Sequence, residues 1–271
     1  MNQRVDVIVI GDSKAGNEAI KQLAKNLSIK IAFISREFKN STSYNHINVE
    51  YIKEEVIFID YKKRLFCCYL SNGDNFFSTH LIVATGLIYE PLIINNMKIP
   101  NVFNNVEDIP KYAKELPAVV LGKSNTDVTL ALKVAKKFKQ VYLCSETFKL
   151  KNVTSANIKK LAETDNILVL PNTSITKALI QDNQLKSVEL TNYSNITCSA
   201  IFVKTPSKPE ISFIPTILID LNKEGYIKTT SKSESTKVPK CFAIGNCAEK
   251  STKKMFLNML ETILLDFKEE Y

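Results

Sequence analysis

Residues 11–16, Gly-Asp-Ser-Lys-Ala-Gly, separate the β-branched run Val5–Ile10 from a stretch with helical spacing. That combination is suited to holding an anion. Gly11 permits a tight bend, Gly16 permits close strand–helix packing, and the amides of the first helical turn, around Lys14 and Ala15, face the ligand with the helix dipole behind them. Ser13 stands where such turns usually keep a third glycine; its hydroxyl takes up room but has a proton to donate to a phosphate. A second strand ends near Ser35, Arg36 and Glu37, where the ribose hydroxyls of a bound nucleotide are expected. A related turn, Gly122-Lys-Ser-Asn-Thr-Asp127, opens a second helical stretch, with Ser124, Asn125 and Thr126 as its candidate phosphate contacts. Its Asp127 replaces the last glycine. A carboxylate there caps a helix well but repels a pyrophosphate.

Other chemistries are poorly provided for. The six cysteines, at 67, 68, 144, 198, 241 and 247, form neither C-x-x-C nor a zinc-ligand spacing, which suggests reduced thiols in a cytoplasmic protein. Cys67 and Cys68 are adjacent on a strand, so their side chains point to opposite faces. The two histidines, His46 and His80, have no partner at metal-ligand spacing, so no metal site is expected. No nucleophile-elbow motif accompanies them. No side chain qualifies as a catalytic acid or base.

The elements that position these turns read as follows. Val5–Ile10 is a buried parallel strand, residues 17–27 a helix with Ala19, Ile20, Leu23, Ala24 and Leu27 inward, and Ile29–Ile34 a second strand. Ser35–Asn48 is polar and loop-like. From Val49 to Thr85 the chain reads as antiparallel β, in runs 49–60, 64–70 and 76–83, with Asn72-Gly73-Asp74 a hairpin turn. The second cycle is strand 118–121, turn 122–127, helix 128–138 and strand 140–144. A helix near 156–163, a strand at 167–170 and a β stretch from 174 to 203 follow. Pro206, Pro209 and Pro215 mark a connection, and Cys241–Ile244 leads through Gly245-Asn246 to an amphipathic helix from about Thr252 to Glu269.

The expected fold is therefore α/β: two Rossmann-like βαβ domains, the second inserted in the first, with an antiparallel β-meander. The expected boundaries are 1–110 plus 238–271 for the first and 111–237 for the second. Composition agrees, at 45% hydrophobic and 24% charged, with only seven glycines in 271 residues. The net charge of +8 comes from 33 Lys against 3 Arg spread along the chain, which argues against nucleic acid. No apolar run is long enough to span a bilayer, and no signal peptide is expected before the first strand.

Three segments together carry a resemblance. Val-Ile-Val-Ile-Gly11-Asp-Ser-Lys-Ala-Gly16, Leu81-Ile-Val-Ala84-Thr85-Gly86 and Cys241-Phe-Ala-Ile-Gly245-Asn246-Cys247 resemble, in order and spacing, the FAD-binding signatures of the two-dinucleotide-binding-domain flavoproteins. The chain most resembles low-molecular-weight thioredoxin reductase, within the pyridine nucleotide-disulfide oxidoreductase superfamily, over nearly its whole length. The resemblance implies FAD as cofactor, NADH or NADPH as donor and a homodimer. It places Glu55-Val56 at the adenine, Asn246 at a ribityl hydroxyl, Cys247 near the flavin, and Lys253 and Lys254 at the flavin edge. Gly225, in Glu-Gly-Tyr-Ile, falls at a turn before the last FAD segment.

The departures from that pattern bear on function. The redox C-x-x-C expected before the second glycine turn is missing, since Asn101–Ala118 contains no cysteine; residues 35–50 contain none either. A thiol relay needs a thiolate beside the flavin, so disulfide reductase activity is not expected. Asn246 replaces the usual Asp. Ser145-Glu146-Thr147 stands where NADPH enzymes carry arginines, with Lys149 and Lys151 the nearest cations, and Glu146 argues against a ferredoxin-NADP reductase. Two readings stay open. One is a flavoprotein passing electrons from NAD(P)H through FAD to a non-thiol acceptor such as a quinone, oxygen or a small carrier protein. The other is a degenerate homologue acting as a binding or structural protein, with FAD structural or absent. Cys247 reads as a small buried hydrophobe.

Overall fold

The computed structural model describes residues 2–38, 46–106, 109, 116–234 and 237–267. Parts of the loop 35–48, of the stretch 101–118 and of the C-terminal helix as far as Glu269 thus lie outside the described residues. The chain forms two compact units, Met1–Ile88 with Ser207–Tyr271, and Tyr89–Pro206. They divide near 88 and 206, whereas the expected boundaries were 110 and 237. Phe213, Ile214, Leu218, Ile219 and Ile227 explain the earlier return to the first unit, since all five pack into its core.

The first unit is built on a five-stranded parallel sheet. Its order is Cys241–Ala243, His80–Val83, Val7–Ile10, Ile31–Ile34, Val49–Ile52. Val7–Ile10, Ile31–Ile34 and His80–Val83 are buried along their full length, as expected of parallel strands covered on both faces. The helices Lys14–Leu23 and Lys253–Asp266 contribute Ala19, Ile20, Leu23, Met259, Leu260 and Ile263 to one face. The other face packs against a four-stranded sheet containing Val56–Lys62, Leu65–Leu70 and Asn75–Ser78 as an antiparallel meander, with Asn2–Arg4 added in parallel.

Three expectations are corrected here. Val49–Asp60 is two strands: Val49–Ile52 edges the parallel sheet and Val56–Lys62 begins the meander. The polar residues Lys53–Glu55 make the break. Phe76–Val83 divides likewise at Thr79. Leu27 lies beyond its helix and is 70% exposed, because the helix starts at Lys14, three residues earlier than its hydrophobic spacing indicates, and ends at Leu23.

The second unit repeats the plan. Its parallel sheet has the order Val102–Phe103, Ala200–Val203, Ala118–Leu121, Val141–Cys144, Ile167–Leu170. The helix Asn125–Ala135 buries Val128, Leu130, Ala131 and Val134 against it, starting three residues before the expected 128. The β stretch 174–203 resolves into an antiparallel sheet, Ile175–Gln181, Gln184–Leu190 and Tyr193–Thr197, before the chain rejoins the parallel one. Among the described residues no helix is long and apolar enough to cross a membrane.

Candidate functional site

In the first unit every candidate turn follows the carboxyl end of a strand of one parallel sheet. Gly11 follows Ile10, Ser35 follows Ile34, Ala84–Gly86 follow Val83, and Gly245 lies just past Ala243. The chain leaves Val7–Ile10 to one side and returns on the other, at His80–Val83. The carboxyl edge at such a reversal is where α/β sheets bind ligands.

The turns touch one another. Gly11 has φ +106°, and a Cβ there would come within 2.6 Å of the Ala84 carbonyl oxygen. A Cβ on Gly16 would lie 2.2 Å from the Gly11 oxygen, and one on Gly245 3.0 Å from the Ala15 Cβ. Three motifs far apart in sequence therefore close around the first turn of one helix.

That turn keeps its donors. Ser13 caps the helix by accepting a hydrogen bond from the Gly16 amide at 3.1 Å, which leaves its hydroxyl proton to donate. The amides of Lys14 and Ala15 have no partner among the described residues, and the Lys14 side chain is exposed. Asn17, absent from the expected set, holds the turn: its Nδ2 donates to Asp12 Oδ1 at 2.5 Å and to the Ser13 carbonyl at 3.0 Å. Only its place one turn into the helix marks it in sequence.

At the next strand end, Ser35 donates to the Glu37 carbonyl at 2.8 Å, and Glu37 is exposed. Arg36 pairs with Glu55 at 3.4 Å and, more closely, with Glu210. Glu210 is the other residue that sequence reasoning missed. Its amide donates to the Gly86 carbonyl at 3.2 Å, and its own carbonyl accepts from Thr85 Oγ1 at 2.7 Å. It lies in the proline-marked connection, where no periodicity singles it out. The Val56 side chain is buried in the core.

On the third loop, Gly245 donates to Ser251 Oγ at 2.8 Å and Asn246 is exposed. Lys253 and Lys254 are exposed at the start of the last helix, which Thr252 caps. Cys247 is fully buried, its thiol 3.3 Å from the carbonyl oxygens of Val83 and Ile244. Burial pushes that thiol up in pKa against the pull of nearby hydrogen bonds. It is a packing residue in this geometry, and a poor nucleophile.

The second glycine turn is arranged differently. Asp127 Oδ2 accepts hydrogen bonds from the Lys123 amide at 2.9 Å, the Ser124 amide at 2.9 Å and the Ser124 hydroxyl at 2.7 Å. A Cβ on Gly122 would sit 2.2 Å from the Asp127 carboxyl carbon. Asn125 Oδ1 accepts from Thr154 and from Asn157 Nδ2, and Thr126 is exposed. Two amides and the Ser124 hydroxyl in this turn are therefore already taken by a carboxylate of the chain itself. Ser145 is buried and bonded within its own loop, while Glu146, Lys149 and Lys151 are exposed. Among the described residues no grouping of three His, Cys, Asp or Glu side chains could hold a metal ion.

A family model for pyridine nucleotide-disulphide oxidoreductases matches residues 34–245. The chain is also similar to solved thioredoxin reductases. That of Lactococcus lactis, in its FR conformation, is 17% identical with a TM-score of 0.66, over 97% of this chain and 98% of that one. That of T. acidophilum is 16% identical with a TM-score of 0.67, over 98% and 99%. That of Streptococcus pyogenes is 16% identical with a TM-score of 0.63, over 97% and 99%. At these identities the likeness establishes the two-unit Rossmann-like fold. No curated protein sequence matches the chain.

Proposed function

The chain belongs to the pyridine nucleotide-disulphide oxidoreductase family, and from that premise we propose that it is a FAD-binding flavoprotein oxidoreductase without a redox disulfide. It would pass electrons from NAD(P)H through the flavin to a non-thiol acceptor such as a quinone, oxygen or a small carrier protein. One observation carries this reading: the first glycine turn keeps its anion-binding donors and is met by the other two motif loops at the carboxyl edge of one sheet. The residues present fit the cofactor. The Lys14 and Ala15 amides and the Ser13 hydroxyl would hold its pyrophosphate, with the helix dipole favouring the negative charge. Ser35, Arg36 and Glu37 lie at the strand end for the adenosine, while the Ala84–Gly86 and Gly245–Cys247 loops flank the other half. Lys253 and Lys254 would favour negative charge near the flavin edge.

Bound FAD would supply the hydride and electron chemistry; the chain supplies binding, orientation and exclusion of water. The thiols support the exclusion of disulfide reduction. All six are buried, and burial pushes Cys144, Cys198 and Cys241 to about 12.

A second reading is favoured by Asp127, whose carboxylate occupies donors in the turn where a pyridine nucleotide would place its pyrophosphate. It is a family member that holds FAD as a structural ligand and serves in binding a partner. Purification and reconstitution with FAD test the common premise. A yellow protein bleached anaerobically by NADH or NADPH supports the oxidoreductase. A yellow protein that neither bleaches supports the structural role. A colourless protein that FAD cannot reconstitute overturns both flavin readings.

A further inference from the structure

We propose that Arg36 and Glu210 form an ion-pair latch that gates the entry and release of FAD, with Glu55 holding Arg36 when the latch is open. The inference rests on the flavin reading above and goes beyond it, since it assigns how the cofactor enters and stays. Every residue it uses belongs to the first unit.

In the parallel sheet Val7–Ile10 lies between Ile31–Ile34 and His80–Val83. Arg36 follows the first of these neighbours by two residues, and Glu210 is tied to the loop after the second. The Glu210 amide donates to the Gly86 carbonyl at 3.2 Å, and its carbonyl accepts from Thr85 Oγ1 at 2.7 Å. The Arg36–Glu210 pair therefore joins the two strand ends on either side of the Gly11 turn, about 10 Å apart at the usual strand spacing. A dinucleotide held by that turn, with its adenosine at 35–37 and its other half at 84–86, runs between the same two strand ends. The closed pair obstructs its passage.

A latch must open at low cost, and the guanidinium has a second partner that provides for this. Arg36 Nη2 donates to Glu210, while Nη1 donates to Glu55 at 3.4 Å. Glu55 lies three residues past the edge strand Val49–Ile52, so the sheet order sets the two carboxylates on opposite sides of Arg36. Letting go of Glu210 leaves the arginine charge paired. The two contacts are not equal, since the Glu55 side chain is 51% exposed and that of Glu210 only 19%. The less hydrated pair is the stronger one, which makes the closed state the resting state.

The test is stopped-flow measurement of FAD binding and release, followed by flavin fluorescence, for wild type, Glu210→Gln and Glu55→Gln. Glu210→Gln keeps the shape of the side chain and its backbone bonds. It is expected to raise both rate constants by about fivefold with little change in Kd. A contact that only held FAD would change release alone. Glu55→Gln is expected to slow both by about twofold, because the open arginine loses its partner. Added salt should speed release from wild type and not from Glu210→Gln. The FAD-free protein gives a second readout, since the chain has only three arginines and few side-chain Nε–Hε resonances. The Arg36 signal, assigned by its loss in Arg36→Lys, should shift in Glu210→Gln. Folded protein that binds no FAD would overturn the flavin reading and the latch together. FAD binding at rates indifferent to Glu210→Gln, or to salt in wild type, would overturn the latch alone. So would an Arg36 signal indifferent to Glu210→Gln, or faster release in both glutamate variants.

Discussion

Asp127 and Ser124 are locked together reciprocally: the carboxylate accepts from the serine amide at 2.9 Å and its hydroxyl at 2.7 Å, and the Asp127 amide returns a bond to that hydroxyl at 3.4 Å. Ser13 occupies the same capping position in the first unit, but the residue three places on is Gly16, which offers only an amide. The two turns share a backbone plan and differ in who supplies the anion. In the second it is a side chain of the protein.

That lock predicts a stability effect. Asp127→Ala removes three hydrogen bonds to a charged acceptor and half of a capping box, so a loss of about 2 kcal/mol is expected. Asp127→Asn keeps an acceptor oxygen without the charge and should lose about half as much. Urea denaturation of the two variants measures both. A change below about 0.5 kcal/mol for alanine would show that the bonds contribute nothing net.

How much of this was legible in the sequence depends on how local each interaction is. The spacing of Gly11 and Gly16 states a tight strand–helix turn outright, because both constraints act within six residues. Asp127 could be read as a cap, but its capture of the Lys123 and Ser124 amides depends on where its carboxyl group points. Glu210 was invisible: it meets Arg36 across 174 residues, from a connection with no periodic pattern. The strand breaks at 53–55 and at Thr79 were also hidden, because an apolar run looks alike whether it serves one sheet or switches between two.

The glycines should separate into two kinds. Gly16→Ala would drive a methyl group to 2.2 Å from the Gly11 carbonyl, against backbone that cannot step aside. A loss of about 3 kcal/mol is expected, together with any flavin binding. Gly73 has φ +87° but open space around it, so Gly73→Ala should cost only about 1 kcal/mol, the price of a left-handed conformation. Thermal melts of both variants test the contrast, and equal losses would show that the close approach at Gly16 is relieved by movement.

The thiols should be silent in the native state. All six are buried, and burial raises the pKa of each, so the reactive thiolate is scarce near neutrality. Titration with a chromogenic disulfide should find no fast-reacting thiol in folded protein and six after denaturation. Cys247→Ser should leave flavin content unchanged. A fast native thiol that Cys247→Ser removes would restore a redox role for that residue.

His80 sets an acid limit on stability. It is 1% exposed, bonded through Nε2 to Asp266 at 3.0 Å and through Nδ1 to Thr79 at 2.9 Å, and it packs against Phe242 and Phe267. Burial lowers its pKa below the ordinary value of 6.5, and although the bond to Asp266 pulls upward it does not prevail. Lys240, which also bonds Asp266 at 3.0 Å, adds to the lowering. The unfolded chain therefore takes up a proton at this site before the folded one does. Above about pH 6.5 the residue contributes no pH dependence; below it, stability falls as pH falls, by at most about 1.4 kcal/mol per unit, until the folded-state value is reached. Asp266 acts in a separate window. Burial alone would raise its carboxyl, but the hydrogen bonds to Lys240 and His80 hold it below its usual range, so its contribution is lost only below about pH 4. His80→Leu should lower stability at neutral pH by removing the bonds from the imidazole to Asp266 and Thr79, and should remove the slope that begins near pH 6.5. Urea melts across that range test it, together with the imidazole resonance of His80. An imidazole titrating at or above its ordinary value would reverse the sign and refute the assignment.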